Sequence, residues 1–147
     1  FEDKLNAADL TLLIQKPETP VYVMADGRHF WRVIDNLMNN ICKYAQPGTR
    51  VYVDLRENGG QVELIFRNTS RYPLNISSEE LMERFVRGDE SRNTEGSGLG
   101  ISIAKSLMEL MGGSFMLYVD GDLFKVVLGF AQMEEEKEPL DEDKSGK

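Results

Sequence analysis

Cysteine is nearly missing: Cys42 stands alone, so no internal disulfide can staple the chain, and a reducing compartment fits. Its neighbours place Cys42 on a helix, where the thiol reads as a packed side chain rather than a reactive one. No apolar run approaches the roughly 20 residues of a membrane span, and no signal peptide is visible. The chain starts at Phe1 without Met, which reads as a domain excised from something longer. Its glycines are not followed by Lys-Ser or Lys-Thr, so it lacks a P-loop, and no G-x-G-x-x-G is present, so it lacks the dinucleotide fingerprint. Basic charge is also short, with 17 Lys and Arg against 25 Asp and Glu and a net charge of −8. Residues 132–147 hold seven of the acids and three lysines, so −4 sits in that stretch and −4 in the body. This balance argues against a general nucleic-acid surface while leaving room for a local basic site that takes an anion.

What is present suffices for one domain with a sizeable core: 147 residues, 41% of them hydrophobic. Residues 1–9 read as the stub of a preceding helix, 10–131 as the domain body and 132–147 as an acidic, disordered spacer without an aromatic residue. Two short strands are expected over 11–15 and 21–25, with Pro17 and Pro20 between them. Asp26 is a good cap for a helix running from Arg28 to about Ala45. Pro47-Gly48 ends it, and strand 49–55, turn Asn58-Gly59-Gly60 and strand 61–66 make a hairpin. Between Thr69 and Glu95 regular structure becomes scarce, with one short helix starting at Ser77-Ser78-Glu79-Glu80; Arg84, Arg87 and Arg92 make this long connection basic. A helix follows, ending at Gly112-Gly113, and a second hairpin pairs 114–119 with 123–130 around Asp120-Gly121-Asp122. Helices gathered on one face of a mixed, largely antiparallel sheet make an α+β fold.

Two stretches carry chemistry. In Gly96-Ser97-Gly98-Leu99-Gly100, three alternating glycines run into a helix whose apolar residues Leu99, Ile103, Leu107 and Leu110 recur at intervals of four, four and three. Glycine admits close backbone approach to a ligand, and free N–H groups at a helix start attract anions. The stretch is therefore either a phosphate seat or plain loop chemistry. On the helix that follows Asp26, Phe30, Ile34, Leu37, Met38, Ile41 and Ala45 point to a core, and Arg32, Asn36, Asn40 and Lys43 fall on the other side. That stripe is either a solvated face or a ligand site. Asparagine is a mediocre helix former, and its amide oxygen is a hard, neutral ligand for Mg²⁺, which takes few protein ligands and leaves the rest to water and phosphate. A lysine one turn on can meet phosphate as a point charge.

Asn36-Leu37-Met38-Asn39-Asn40-Ile41-Cys42-Lys43-Tyr44-Ala45 resembles the N box of the catalytic ATP-binding domain of sensor histidine kinases. Glu83-Arg84-Phe85-Val86-Arg87-Gly88 resembles their F box, and Gly96 to Gly100 their G2 box, in the family's order and spacing. The similarity covers about residues 10–131. It implies a Bergerat-type sandwich of the GHKL family, with ATP and Mg²⁺ held between the helices and a long lid. By position Asn40 would hold the metal, and Asn36 would support phosphate or metal. Lys43 and Tyr44 would meet phosphate and nucleotide. Gly96, Ser97, Gly98, Leu99 and Gly100 would bring N–H groups to the triphosphate. Phe85 would anchor the lid, and Arg87 would face the γ-phosphate; Tyr44 and Phe85 fit a packing role equally well. One departure stands out: where the family has D-x-G-x-G at the base, this chain has Asn68-Thr69-Ser70-Arg71-Tyr72. Asn68 keeps an acceptor oxygen but not the charge, so adenine binding is expected to be weaker or differently shaped.

The resemblance further implies transfer of the ATP γ-phosphoryl to a histidine on a separate dimerisation hairpin of the same kinase, and a response regulator downstream. It also implies a bacterial, membrane-anchored homodimer whose catalytic domain is cytoplasmic, and no nucleic-acid partner. His29, the only histidine, lies at the start of the N-box helix and reads as structural or capping. A serine kinase of the anti-sigma type and a non-catalytic nucleotide-binding module share the fold and stay open as alternatives.

Overall fold

The structure, a computed structural model, describes residues 1–74, 76–87 and 99–133, with Val86, Arg87 and Leu99 described in backbone only. In chain order the elements are α1 (Glu2–Ala7), β1 (Thr11–Gln15), β2 (Tyr22–Val23), α2 (Gly27–Tyr44), β3 (Arg50–Asn58), β4 (Gln61–Thr69), α3 (Ser78–Arg87), α4 (Leu99–Leu110), β5 (Ser114–Asp120) and β6 (Leu123–Met133). Among the described residues six strands form one sheet in the order β1-β3-β4-β6, with β5 and β2 both pairing β6. β1 runs parallel to β3 and every other pair is antiparallel, so the sheet is mixed and mostly antiparallel.

Local chemistry starts and stops these elements where physics expects. Asp26 Oδ1 accepts from the N–H groups of Arg28 at 2.9 Å and His29 at 3.1 Å, satisfying two donors at the start of α2. Ser77 Oγ accepts from the Glu80 N–H at 3.1 Å, so the cap of α3 sits where Ser77-Ser78-Glu79-Glu80 announced it. α4 ends in a Schellman arrangement: Gly112, with φ +81°, donates to Glu109 O and Gly113 to Met108 O. The β3–β4 hairpin turns on Gly59 and Gly60 with φ of +59° and +85°, the left-handed pair that a tight hairpin with twisted strands needs.

Alternation along the strands then sorts the sheet into two faces. Val51 and Phe66 from β3 and β4, Phe115 and Leu117 from β5, and Val126, Leu128 and Phe130 from β6 are buried against the helices. Phe130 meets Phe30 of α2 edge-on at 5.7 Å, and Phe124 meets Phe85 of α3 at 6.4 Å. α2 packs on α4 as well as on the sheet. The architecture is thus one helical layer on one sheet, the α+β sandwich expected above.

Several details differ from expectation. On α4 the buried residues are Ile101, Ala104 and Met108, whereas Leu110 is 70% exposed and Ile103 and Leu107 only half-buried. This helix is apolar on most sides, so more than one i, i+3, i+4 stripe fits it, and contact with α2 and the sheet picks the one that is buried. On α2 the most deeply buried residue is Val33, with Phe30 and Ile34 at the margin. β2 shrinks to two residues, because it pairs only the far end of β6. α3 continues through Arg87. β6 extends to Met133, two residues into the stretch read as tail, because Tyr22 and Val23 pair with Met133 and Gln132. Residues 134–147, the rest of that acidic stretch, lie outside the described residues.

Candidate functional site

The exit of α2 is stitched to the exit of β4. Arg71 donates its N–H to Tyr44 O at 2.8 Å, Gln46 donates to Thr69 O at 2.8 Å, and Ala45 and Ser70 form an isolated antiparallel bridge. Ser70 also donates its N–H to Asp122 O at 2.7 Å in the β5–β6 turn. These main-chain bonds hold the asparagine-bearing half of α2 over the helix-facing end of β4, where Asn68 sits opposite Phe124. Asn68 is 4% exposed, and its Oδ1 is buried with no hydrogen-bond partner.

The middle of α2 faces the start of α4. A Cβ built on Gly100 would lie 3.5 Å from Asn36 Oδ1, so the missing side chain leaves the first turn of α4 open toward Asn36. Asn36 Nδ2 is itself buried and without a partner. A buried amide group left unbonded costs about 1–3 kcal/mol, and native structures hold few of them. Here one belongs to Asn36, whose side chain faces Gly100 at the start of α4, and another to Asn68, at the end of β4 that is stitched to the exit of α2. Further along α2, toward the exit that bonds the end of β4, Asn40, Lys43 and Tyr44 are all half-buried, with Lys43 Nζ 5.5 Å from the centre of the Tyr44 ring.

The third asparagine of α2, Asn39, lies off that stripe. Asn39 Oδ1 accepts from Lys4 Nζ at 2.6 Å, which ties α2 to α1 and uses that amide for structure. Phe85 is 4% exposed and packs on Phe124, so it fastens α3 to the sheet. Gly96, Ser97 and Gly98 lie outside the described residues, as do the side chains of Arg87 and Leu99. His29 stands at the α2 cap, its Nδ1 4.0 Å from Asp26 Oδ2. Cys42 is half-buried, and that burial raises its thiol pKa, outweighing the opposing pull of Lys4 and the terminal amine, which disfavours the reactive thiolate.

The stretch Asn68–Tyr72 shows how this chain turns without glycine. None of these residues has a positive φ; instead Ser70 Oγ accepts from the Tyr72 N–H at 3.2 Å, a side chain standing in for a backbone turn bond. Ser70 therefore joins the residues that shape the site. The S-x-Y spacing after Asn68 carried that signal, but it reads as a loss of glycine until the hydrogen bond is seen. An open depression of about 500 Å³ lined by Phe1, Glu2, Asp3, Lys4, Trp31 and Asp35 lies against α1 and the flank of α2 that carries Trp31 and Asp35, and its lining includes none of Asn36, Asn40, Lys43, Tyr44 and Asn68.

The histidine kinase-, DNA gyrase B- and HSP90-like ATPase family model matches residues 25–139, which spans α2, both hairpins and the connection between them. The chain belongs to this ATPase family. Among curated relatives, the probable sensor kinase SilS of Salmonella typhimurium is 29% identical over 137 residues, covering 91% of this chain and 28% of its own. The sensor histidine kinase YcbM of Bacillus subtilis is 29% identical over 115 residues, covering 77% and 37%. Among solved structures, the catalytic domain of histidine kinase ThkA superposes with a TM-score of 0.73 at 20% identity, covering 89% of this chain and 84% of that one; this likeness is one of fold. The chain is thus a histidine kinase-type, ATP-binding catalytic domain of the GHKL family, and it spans 24% to 37% of the length of the first curated relatives it matches.

Proposed function

We propose that this ATPase-family domain serves a two-component sensor kinase by presenting the γ-phosphoryl of ATP to a histidine on a dimerisation hairpin of the same full-length protein. The observation that carries the reading is the pair of unbonded buried amides, Asn36 Nδ2 on α2 and Asn68 Oδ1 on the end of β4 that is stitched to the exit of α2. A donor beside the start of α4 and an acceptor at the end of β4 suit a ligand that is anionic at one end and carries an amino group at the other. Asn68 would accept from the adenine 6-amino group. Asn36, Lys43, Tyr44 and the first N–H groups of α4, from Leu99 and Gly100, would hold the phosphates, with the positive end of the α4 dipole toward them.

Asn40 would hold Mg²⁺ through its amide oxygen; bound there, the ion would neutralise phosphate charge. Among the described residues no cluster of three His, Cys, Asp or Glu is present, which suits an ion held by one amide, phosphate oxygens and water. Gly96, Ser97 and Gly98 complete the loop in this reading, Phe85 steadies α3, and Arg87 supplies charge at the γ-phosphate. Orientation and electrostatics supply most of the catalysis of phosphoryl transfer, and these residues do that work while the acceptor histidine and its general base come from the hairpin. A response regulator downstream, a homodimeric parent and a membrane anchor outside this chain belong to the same proposal; among the described residues no helix is long and apolar enough to cross a membrane.

The test mixes this chain with ATP, Mg²⁺ and a separately made hairpin. An acid-labile, base-stable phosphoryl group on the hairpin is the expected product. An acid-stable one would point to a serine kinase of the same fold. Binding without transfer would point to a nucleotide-binding module, the reading favoured by the glycine-free turn through Ser70 and Tyr72.

A further inference from the structure

We infer that the base end of this candidate site takes 6-oxopurine nucleotides as well as adenine nucleotides, and that Asn68 sets this breadth. The inference rests on the reading above that a purine lies against Asn68. The residue is held in place by β4 pairing with β6 across Phe124, and it is 96% buried by virtue of its 4% exposure. Its Oδ1 has no partner, so no bond through that atom holds the carboxamide in one orientation.

A carboxamide carries an acceptor and a donor side by side on one plane. Toward a 6-aminopurine, Oδ1 accepts from the amino group while Nδ2 donates to ring N1. After a 180° turn about χ2, Nδ2 donates to O6 of a 6-oxopurine while Oδ1 accepts from its N1–H. Both pairings use two hydrogen bonds and neither leaves a buried group unpaired, so the amide discriminates little between the two bases. A carboxylate at the same place has acceptors only and would set negative charge against O6. The turn that carries Asn68 adds no fixed donor through Ser70 N–H or Tyr72 N–H, because both are already bonded, to Asp122 O and Ser70 Oγ.

Adenosine and inosine triphosphates isolate the effect, since their bases differ only at the 6-position and the N1 proton it brings. Calorimetric titration of the chain with each nucleotide in Mg²⁺ is expected to give dissociation constants within about threefold of one another. Asn68→Asp is expected to favour ATP over ITP by about tenfold or more, mainly by loss of ITP affinity. Asn68→Ala, which stays folded if a buried carboxylate does not, is expected to weaken both nucleotides by similar factors. A wild-type preference for ATP of tenfold or more would overturn the inference while leaving the proposed function standing, as would an unchanged ratio in a folded Asn68→Asp protein. Failure of the wild-type chain to bind either nucleotide, or affinities for both that ignore Asn68→Ala and Asn40→Ala alike, would overturn the proposed function and this inference with it.

Discussion

The two faces of the sheet both bury polar side chains, but they satisfy them differently. On the face away from the helices, Asp54 is 6% exposed and is gripped by Arg67 at 2.8 Å, with Arg56 at 3.8 Å. The Arg67 guanidinium also lies 4.9 Å from the centre of the Tyr52 ring. Asp54 Oδ1 and Arg67 Nε lack partners of their own, yet each group is tied down through another of its atoms. On the helix side, Asn36 and Asn68 each leave one amide atom buried with nothing bonded to it. Buried polarity that the fold already pairs is structural, and buried polarity that it leaves open is where a ligand is expected.

Asn40→Ala tests that contrast most severely. It is expected to lower Mg²⁺-dependent ATP affinity by about a hundredfold or more with little change in the urea midpoint, as read by calorimetry and denaturation; an unchanged Mg·ATP titration would put the ion elsewhere. Asp54→Ala should do the reverse. Removing one partner of a fully buried pair costs about 3–5 kcal/mol, but Arg67 is 37% exposed and can rehydrate, so a loss of about 2 kcal/mol is expected, with ATP affinity unchanged.

Gly100→Ala splits the two properties within one residue. The new methyl would make ordinary contact with Asn36, so helix propensity should raise stability by up to about 1 kcal/mol, while the closed gap lowers ATP affinity. A gain in both would remove Gly100 from the site.

The smallest effect concerns the cap of α2. Hydrogen bonding from the His29 N–H, then the charges of His29 and Arg28 and the Arg28 N–H, hold the exposed Asp26 carboxyl below the usual carboxylate range. A depressed folded pKa stabilises above the unfolded value, near pH 4, and that share is lost as pH falls through the folded value. Thermal melts between pH 5 and 3 should show this decline in the wild type and not in Asp26→Asn, which keeps the cap but has no proton to take up.

Much of this was legible in the residues themselves. Asp26, Ser77-Glu80 and Gly112-Gly113 announced helix ends because capping is local chemistry, and Gly59-Gly60 announced a hairpin for the same reason. The order of boxes around Asn36–Ala45, Glu83–Gly88 and Gly96–Gly100 pointed to ATP-family chemistry. The buried stripe of α4 was not legible, since Leu99, Ile103, Leu107 and Leu110 make as good a helical stripe as Ile101, Ala104 and Met108. Nor was the division of labour among the asparagines: Asn39 bonds Lys4 while its neighbour in sequence, Asn40, lies on the flank that carries Asn36 and Lys43, a distinction set by where α1 packs.

By itself the sequence determined which segments form helices and hairpins, because propensity, caps and turns act over a few residues. Only the tertiary structure decided which polar groups remain unbonded. A buried amide's partners come from segments distant in the chain, and the gap between Asn36 and Gly100 exists because α2 and α4 pack side by side on the same sheet.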